Sequence, residues 1–556
     1  MKMQLSNGRN FLWQFEKDVT CKVPDYVSKI NYIDHNGVLR TISVDNSEFE
    51  VPNELTDTPN DIVFWAYDAH KIAHVASLCV KEGPAPDNFG DKLLARRLGE
   101  ITKITTSADQ IGMYALYHYQ NLIHFSAPLA TTIGYYSLAG ITSLKSAFIP
   151  SATRIHDYAF SDDTYLETID MHSVTSIGDY AFRNCRSLVS VDAPLLETIQ
   201  REVFYGTALK SINAPNVRKI YQYGLTGCND SKFNFPLLET VENGACGGWR
   251  NATELNCPSL TSIVGSGNFY SWYSLTSVKM PLVTVIPQGT FKSCTNLTEL
   301  HFPKVTTISG SGAFGGCKCI EEITDKEFPA LSETIRGFEN CLGLKTINLS
   351  LVTKIGYESF SGCSNLSDIN LDAVSIIDDT AFIKCTSISK VDSEMFPVLT
   401  SIGSRAFQYC SGIRTIDLPT VTTISDSFSY CDGLINAKLS SVENADSGIF
   451  ASCYKLKKVV LSKATKLGYS TFNNCYSLTA VVLANPNGVC ALNKNTFSNC
   501  YHMLGKTNSA YNPEGAQDGY VYVPKALITA YESDSVWSTM PIKFRAIEDY
   551  GEILDE

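Results

Sequence analysis

The chain has 556 residues, of which 44% are hydrophobic and 18% charged, and its formal net charge is -12 at pH 7. That length exceeds one compact core, unless repeated units each bury an apolar face against their neighbours. The acidic balance argues against nucleic acid or an anionic membrane as the main partner. No run of about 18 apolar residues is present, so no membrane insertion is expected.

The first ten residues lack the apolar stretch of a secretory signal, so the chain is expected to stay in the cytosol unless something else carries it out. Residues 1–88 read as short strands near 10–15, 30–33, 39–44 and 61–67, with a hairpin-type turn at Asn36-Gly37. We expect a small β-sandwich there. Its motifs are Trp13, Gln14, Val51-Pro52-Asn53-Glu54-Leu55, Trp65-Ala66-Tyr67 and Pro84-Ala85-Pro86-Asp87. Together they resemble the N-terminal domain of phage baseplate and tail proteins of Gram-positive hosts. The resemblance implies a module that attaches a host-facing domain to a virion. Residues 89–104 read as a linker and N-terminal cap with a short helix.

From 105 to 503 the chain repeats. One anchor position holds Leu116, Leu138, Phe160, Phe182, Phe204, Leu225, Cys246, Phe269, Phe291, Phe314, Phe338, Phe360, Phe382, Phe407, Phe428, Phe450, Phe472 and Phe497, eighteen units spaced 21 to 25 apart. Such a period marks a leucine-rich-repeat solenoid. In one unit Leu366, Ile369 and Leu371 are apolar around polar Asn370, the alternation of a half-buried strand. A second short extended segment, Val374-Ser375-Ile376-Ile377, follows, and Asp378-Asp379-Thr380-Ala381-Phe382 turns the corner. Prolines such as Pro194, Pro215 and Pro303 end the strands. The phrase A-F-x-x-C-x-x-L-x-x-I-x-L-P-x-V-x-x-I-G resembles the BspA-type leucine-rich repeat. That resemblance implies a right-handed coil with a parallel sheet on one face, and a binding function without a named ligand.

Twelve of the eighteen cysteines stand three residues after the anchor, the pattern of a buried column of reduced thiols. The residue between the two buried strand positions forms another column, from Asp170, Asp192 and Asn213 to Val460 and Val482. It reads either as a hydrogen-bonded ladder that solvates the sheet or as a polar binding face. Its apolar end is expected to lie under the C-terminal cap. That cap, 504–556, holds a strand at Tyr520-Val521-Tyr522-Val523 stopped by Pro524, then a helix over 525–533. Residues 501–518 read as a loop.

No GxSxG, Walker, zincin or Rossmann pattern stands in a suitable context, so no enzyme, catalytic residue, cofactor or metal is expected. The repeat is least regular between 244 and 273, where the anchor is Cys246 and aromatics cluster. Trp249, Tyr270, Trp272 and Tyr273 are therefore the candidate ligand-binding residues. The competing reading is that these rings replace the missing Phe in the core. The two resemblances with the missing signal imply a phage tail or baseplate receptor-binding protein. It would bind a bacterial cell-surface protein or glycan, join other tail proteins through residues 1–88, form a homo-oligomer (a trimer), and reside on the virion after assembly in the host cytoplasm. The alternative is a bacterial BspA-like surface adhesin binding host or neighbour-cell proteins.

Overall fold

The computed structural model describes side chains for residues 110–554 apart from 114, 121, 333–336 and 494, and traces backbone strands within 4–105. The chain divides into two units, Met1–Ser259 and Leu260–Glu556.

From Lys103 onward the first unit is a parallel β-solenoid. Strands Lys103–Thr105, His124–Ser126, Ser146–Phe148 and Thr168–Ile169 form one parallel sheet, one strand per coil. A second parallel row holds Gln110–Ile111, Thr132–Ile133, Arg154–Ile155 and Ser176–Ile177. Phe125, Ala147, Ile133, Ile155 and Ile177 on these strands are in the core. The register is 21 or 22 residues, so like side chains stack on like and the period becomes a set of columns. Toward the N-terminus the backbone forms strands Asn10–Trp13, Lys29–Ile33, Leu39–Ser43, Ile62–Tyr67 and Ala73–Leu78. The sandwich packing expected of residues 1–88 lies outside the described residues.

The second unit repeats the plan. Strands Glu322–Thr324, Thr346–Asn348 and Asp368–Asn370 pair in parallel. A further sheet runs Lys390–Asp392, Thr415–Asp417, Asn436–Lys438, Lys458–Leu461, Ala480–Leu483, Tyr520–Val523 and Phe544–Ala546. The second row includes Lys354–Ile355, Ile376–Ile377, Ser401–Ile402 and Thr423–Ile424.

The anchors are the spine of each unit. Phe160, Phe182 and Phe204 stack with centroids 5.2 and 5.6 Å apart. In the second unit Phe314 and Phe338 lie 4.9 Å apart, Phe338 and Phe360 5.7 Å, and Phe360 and Phe382 5.3 Å, all stacked and fully buried. Each buried ring contributes about 1.5–3 kcal/mol through lost water contact.

The arc that carries the anchor is neither helix nor strand. The residues two before and two after it both take the left-handed conformation: Tyr158 (φ 57°) and Asp162 (φ 64°) around Phe160, Thr380 (57°) and Lys384 (64°) around Phe382. This alternation aims every second N–H group at the next coil, while Ser359 and Ser361 donate within their own coil. Glu358, Phe360 and Gly362 donate to the carbonyls of Asp379, Ala381 and Ile383 at 3.4, 2.8 and 2.8 Å. The arc thus satisfies its backbone between coils without a regular strand.

The C-terminal segment closes the second unit as expected. Tyr520–Val523 adds in parallel to Ala480–Leu483, and the helix Ile528–Ser533 follows. Trp537 meets the last ring of the spine, Phe497, at 6.0 Å, and its indole N–H donates to the Cys490 carbonyl at 2.7 Å. Tyr531 accepts the Cys490 N–H at 2.9 Å. The 501–518 stretch, expected as a loop, opens with the helix Tyr501–Leu504. It then wraps around buried Asn512, whose amide donates to the carbonyls of Tyr501, Lys506 and Ala516.

Candidate binding surfaces

The position three after the anchor decides where the expected site residues go. In most coils it is cysteine, and the thiol donates to the carbonyl of the preceding coil's anchor. Cys185 reaches Phe160 O at 3.0 Å, Cys363 reaches Phe338 O at 3.0 Å, and Cys431 reaches Phe407 O at 3.2 Å. Burial pushes the Cys294, Cys363 and Cys410 thiols up to about 12. They remain protonated at neutral pH and are poor nucleophiles.

Trp249 occupies this same position. Its indole N–H donates to Leu225 O at 2.9 Å, the bond a thiol makes elsewhere. Small Cys246 at the anchor and large Trp249 three residues on exchange the usual volumes, and Trp249 packs edge-on against Phe233 at 5.1 Å. Trp272, in the second unit, stands three after Phe269 and meets it at 5.7 Å. Both tryptophans are fully buried. The expectation that they contact a ligand is corrected accordingly: the rings fill the core. Tyr270 is half-buried and Tyr273 exposed. The rule that would have found this was present in the sequence, because 249 and 272 are anchor-plus-three positions.

The strand-face column behaves in part as a ladder. Asn213 donates to Asp192 Oδ1 at 2.8 Å and Asn370 to Asn348 Oδ1 at 3.2 Å. His172 bridges two coils, with Nδ1 2.9 Å from Asp170 and Nε2 2.9 Å from Asp192. The hydrogen bond to Asp170, then the charge of Asp192, raises its pKa above the ordinary histidine value. The apolar end is covered: Val460, Val482 and Tyr522 pack with Ile547, and Ile553 and Leu554 lie against them.

A second surface lies on the arc of the first unit, at the left-handed position two before the anchor. Tyr136, Tyr158 and Tyr180 stack with centroids 4.6 Å apart at each step. Tyr117 meets Tyr136 edge-on at 6.2 Å. At the other end Arg183 and Arg201 lie over Tyr180 at 5.6 and 5.7 Å, and Arg183 also lies over Tyr205 at 5.8 Å. Arg183 pairs with Glu202 at 3.4 Å. Tyr117 and Tyr205 are exposed, and the three stacked rings are half-buried. The result is a continuous tyrosine–arginine edge over five coils. The signal was there as tyrosines two before successive anchors, but 22-residue spacing of a surface residue looks like ordinary turn composition.

Among the described residues, no group of three or more His, Cys, Asp or Glu is placed to hold a metal, and no helix is long and apolar enough to cross a membrane. The BspA-type leucine-rich repeat model matches residues 109–232, 218–337, 285–395, 322–432 and 392–504, more than half of the sequence. The chain belongs to the BspA-type leucine-rich repeat family. This BspA-type match begins at residue 109 and does not reach residues 1–88, on which the phage resemblance rests. No curated protein matches the chain. Similar solved structures include a leucine-rich repeat protein from Bacteroides ovatus, 19% identical over 65% of this chain and 86% of that one, with a TM-score of 0.40. A leucine-rich cell surface protein from Faecalibacterium prausnitzii is 16% identical over 75% and 92%, with a TM-score of 0.30. The pneumococcal vaccine antigen PcpA is 14% identical over 88% and 97%, with a TM-score of 0.30. The family assignment rests on the repeat match and not on these structures.

Proposed function

We propose that this BspA-type protein is a non-enzymatic, adhesin-like binding protein that acts at a bacterial cell surface and engages a protein partner through the tyrosine–arginine edge of its first unit. The carrying observation is the run Tyr117, Tyr136, Tyr158, Tyr180, Arg183 and Tyr205, joined across neighbouring coils by ring contacts and then by the Arg183 guanidinium. Tyrosine and arginine are the residues in which protein-binding hot spots are enriched, because each offers a large area and a polar tip at low entropic cost. The stacking also bears on the ligand. The faces of Tyr136, Tyr158 and Tyr180 lie against one another, which leaves their edges for contact. A sugar needs a free ring face to stack on, whereas a protein surface can use edges and hydroxyls.

Every coil presents the same backbone, so specificity resides in the side chains of such an edge. The test is a triple variant, Tyr136→Ala, Tyr158→Ala and Tyr180→Ala, probed on immobilised surface proteins and on a glycan array. The reading expects a bound protein and at least a tenfold loss in the variant, about 1.4 kcal/mol. Glycan binding alone would refute the choice of partner.

A further inference from the structure

One buried titratable group has no part in the binding surface. Asp163 stands three after Phe160, the position held by the thiol in most other coils, and it is fully buried. Its Oδ1 accepts the Ile141 N–H at 2.7 Å. In the regular coil that N–H turns to its own anchor instead, as Cys185 N does to Phe182 O at 3.2 Å. Asp163 Oδ2 is buried and has no hydrogen-bond partner as a carboxylate. In the thiol coils and at Trp249 the group at this place is a donor: Cys185 gives its S–H to Phe160 O, and Trp249 gives its N–H to Leu225 O. A carboxylate cannot donate, but a carboxylic acid can.

We infer that Asp163 carries a proton in the folded protein and is a proton-operated latch. Neutral, it bonds the coil of Phe160 to the coil of Leu138; ionised, it loosens them. An ionised group here would be stripped of water without a compensating cation among its immediate neighbours, which is costly. The preceding coil offers the N–H groups of Gly140 and Ile141, the following coil offers the Cys185 thiol, and Asp162 beside it adds a negative charge. Burial first, opposed by the Ile141 N–H and reinforced by Asp162, pushes the Asp163 carboxyl well above the usual range. The folded state therefore holds the proton more tightly than the unfolded chain. The stabilisation is full below the unfolded value, near 4, and disappears as pH rises through the raised folded value. Tyr158 belongs to the same coil, so release would also disturb the tyrosine ladder. That consequence rests on the binding reading; the latch itself does not.

The full chain, Asp163→Asn and Asp163→Cys are compared by hydrogen exchange between pH 6 and 10 and by difference infrared spectroscopy at pH 7. Asparagine keeps a donor and an acceptor without a titration, and cysteine restores the usual thiol. Two results are expected: a protonated-carboxyl band that both variants lack, and a wild-type protection of residues 138–166, relative to either variant, that falls about tenfold per pH unit up to the raised folded value and levels off above it. Absence of that band, or a protection ratio constant across the range, overturns the inference. Binding by the wild-type chain is measured separately, so failure of the tyrosine edge and failure of the latch are distinguishable.

Discussion

A single position, three residues after each anchor, explains features of this chain that look unrelated. Cysteine fits because it is small and apolar yet carries a weak donor for the preceding anchor's carbonyl. Cys363→Ala removes the donor to Phe338 O and should cost about 1–3 kcal/mol in denaturant unfolding, because the buried carbonyl loses a partner. The exposed Cys319 offers the control: Cys319→Ala should change stability by no more than about 0.5 kcal/mol. The left-handed positions make a separate prediction. Thr380 is β-branched at φ 57°, which is strained. Thr380→Gly should raise the unfolding midpoint, with a gain on the order of 1 kcal/mol. The thiol column was legible in the sequence as buried and reduced. Its hydrogen bonds were not, because a column of cysteines looks the same whether or not each sulfur has an acceptor.

Strands, arcs and caps follow different rules. The short strands were readable from alternation such as Leu366, Ile369 and Leu371 around Asn370, and the cap strand from Tyr520-Val521-Tyr522-Val523 before Pro524. The arc was not, since paired left-handed residues leave no hydrophobic period; tyrosine, glutamate, threonine and arginine all occupy the first of the two positions. The cap carries a direct test. Trp537→Ala empties a fully buried site against Phe497 and removes a donor to Cys490 O. It should destabilise by about 3–5 kcal/mol, with hydrogen exchange rising first in the last coils of the second unit. On the strand face of the first unit, the His172 rung has a pH signature. Its raised pKa means the contribution is present below about 6.5 and is lost as pH rises through the folded value. Asp170→Asn should lower that pKa, as followed by NMR of labelled histidine.

At the scale of the whole molecule, the repeat made the solenoid legible and left the ligand open. At Trp249 and Trp272, irregularity marks buried core positions. Trp249 exchanges volume with Cys246, and Trp272 packs in the core beside its own anchor Phe269. The proposed edge rests on regularity instead: Tyr136, Tyr158 and Tyr180 recur at one phase, and stacking makes three half-buried residues into one surface. Repetition of a side chain that the fold does not require is the feature that selection for binding would leave. The most direct measurement is the affinity of the wild-type chain and of the triple Tyr136→Ala, Tyr158→Ala, Tyr180→Ala variant for one immobilised surface protein, with melting of both followed in parallel. The account predicts at least a tenfold weaker affinity at comparable melting. Undiminished affinity in a folded variant would contradict it.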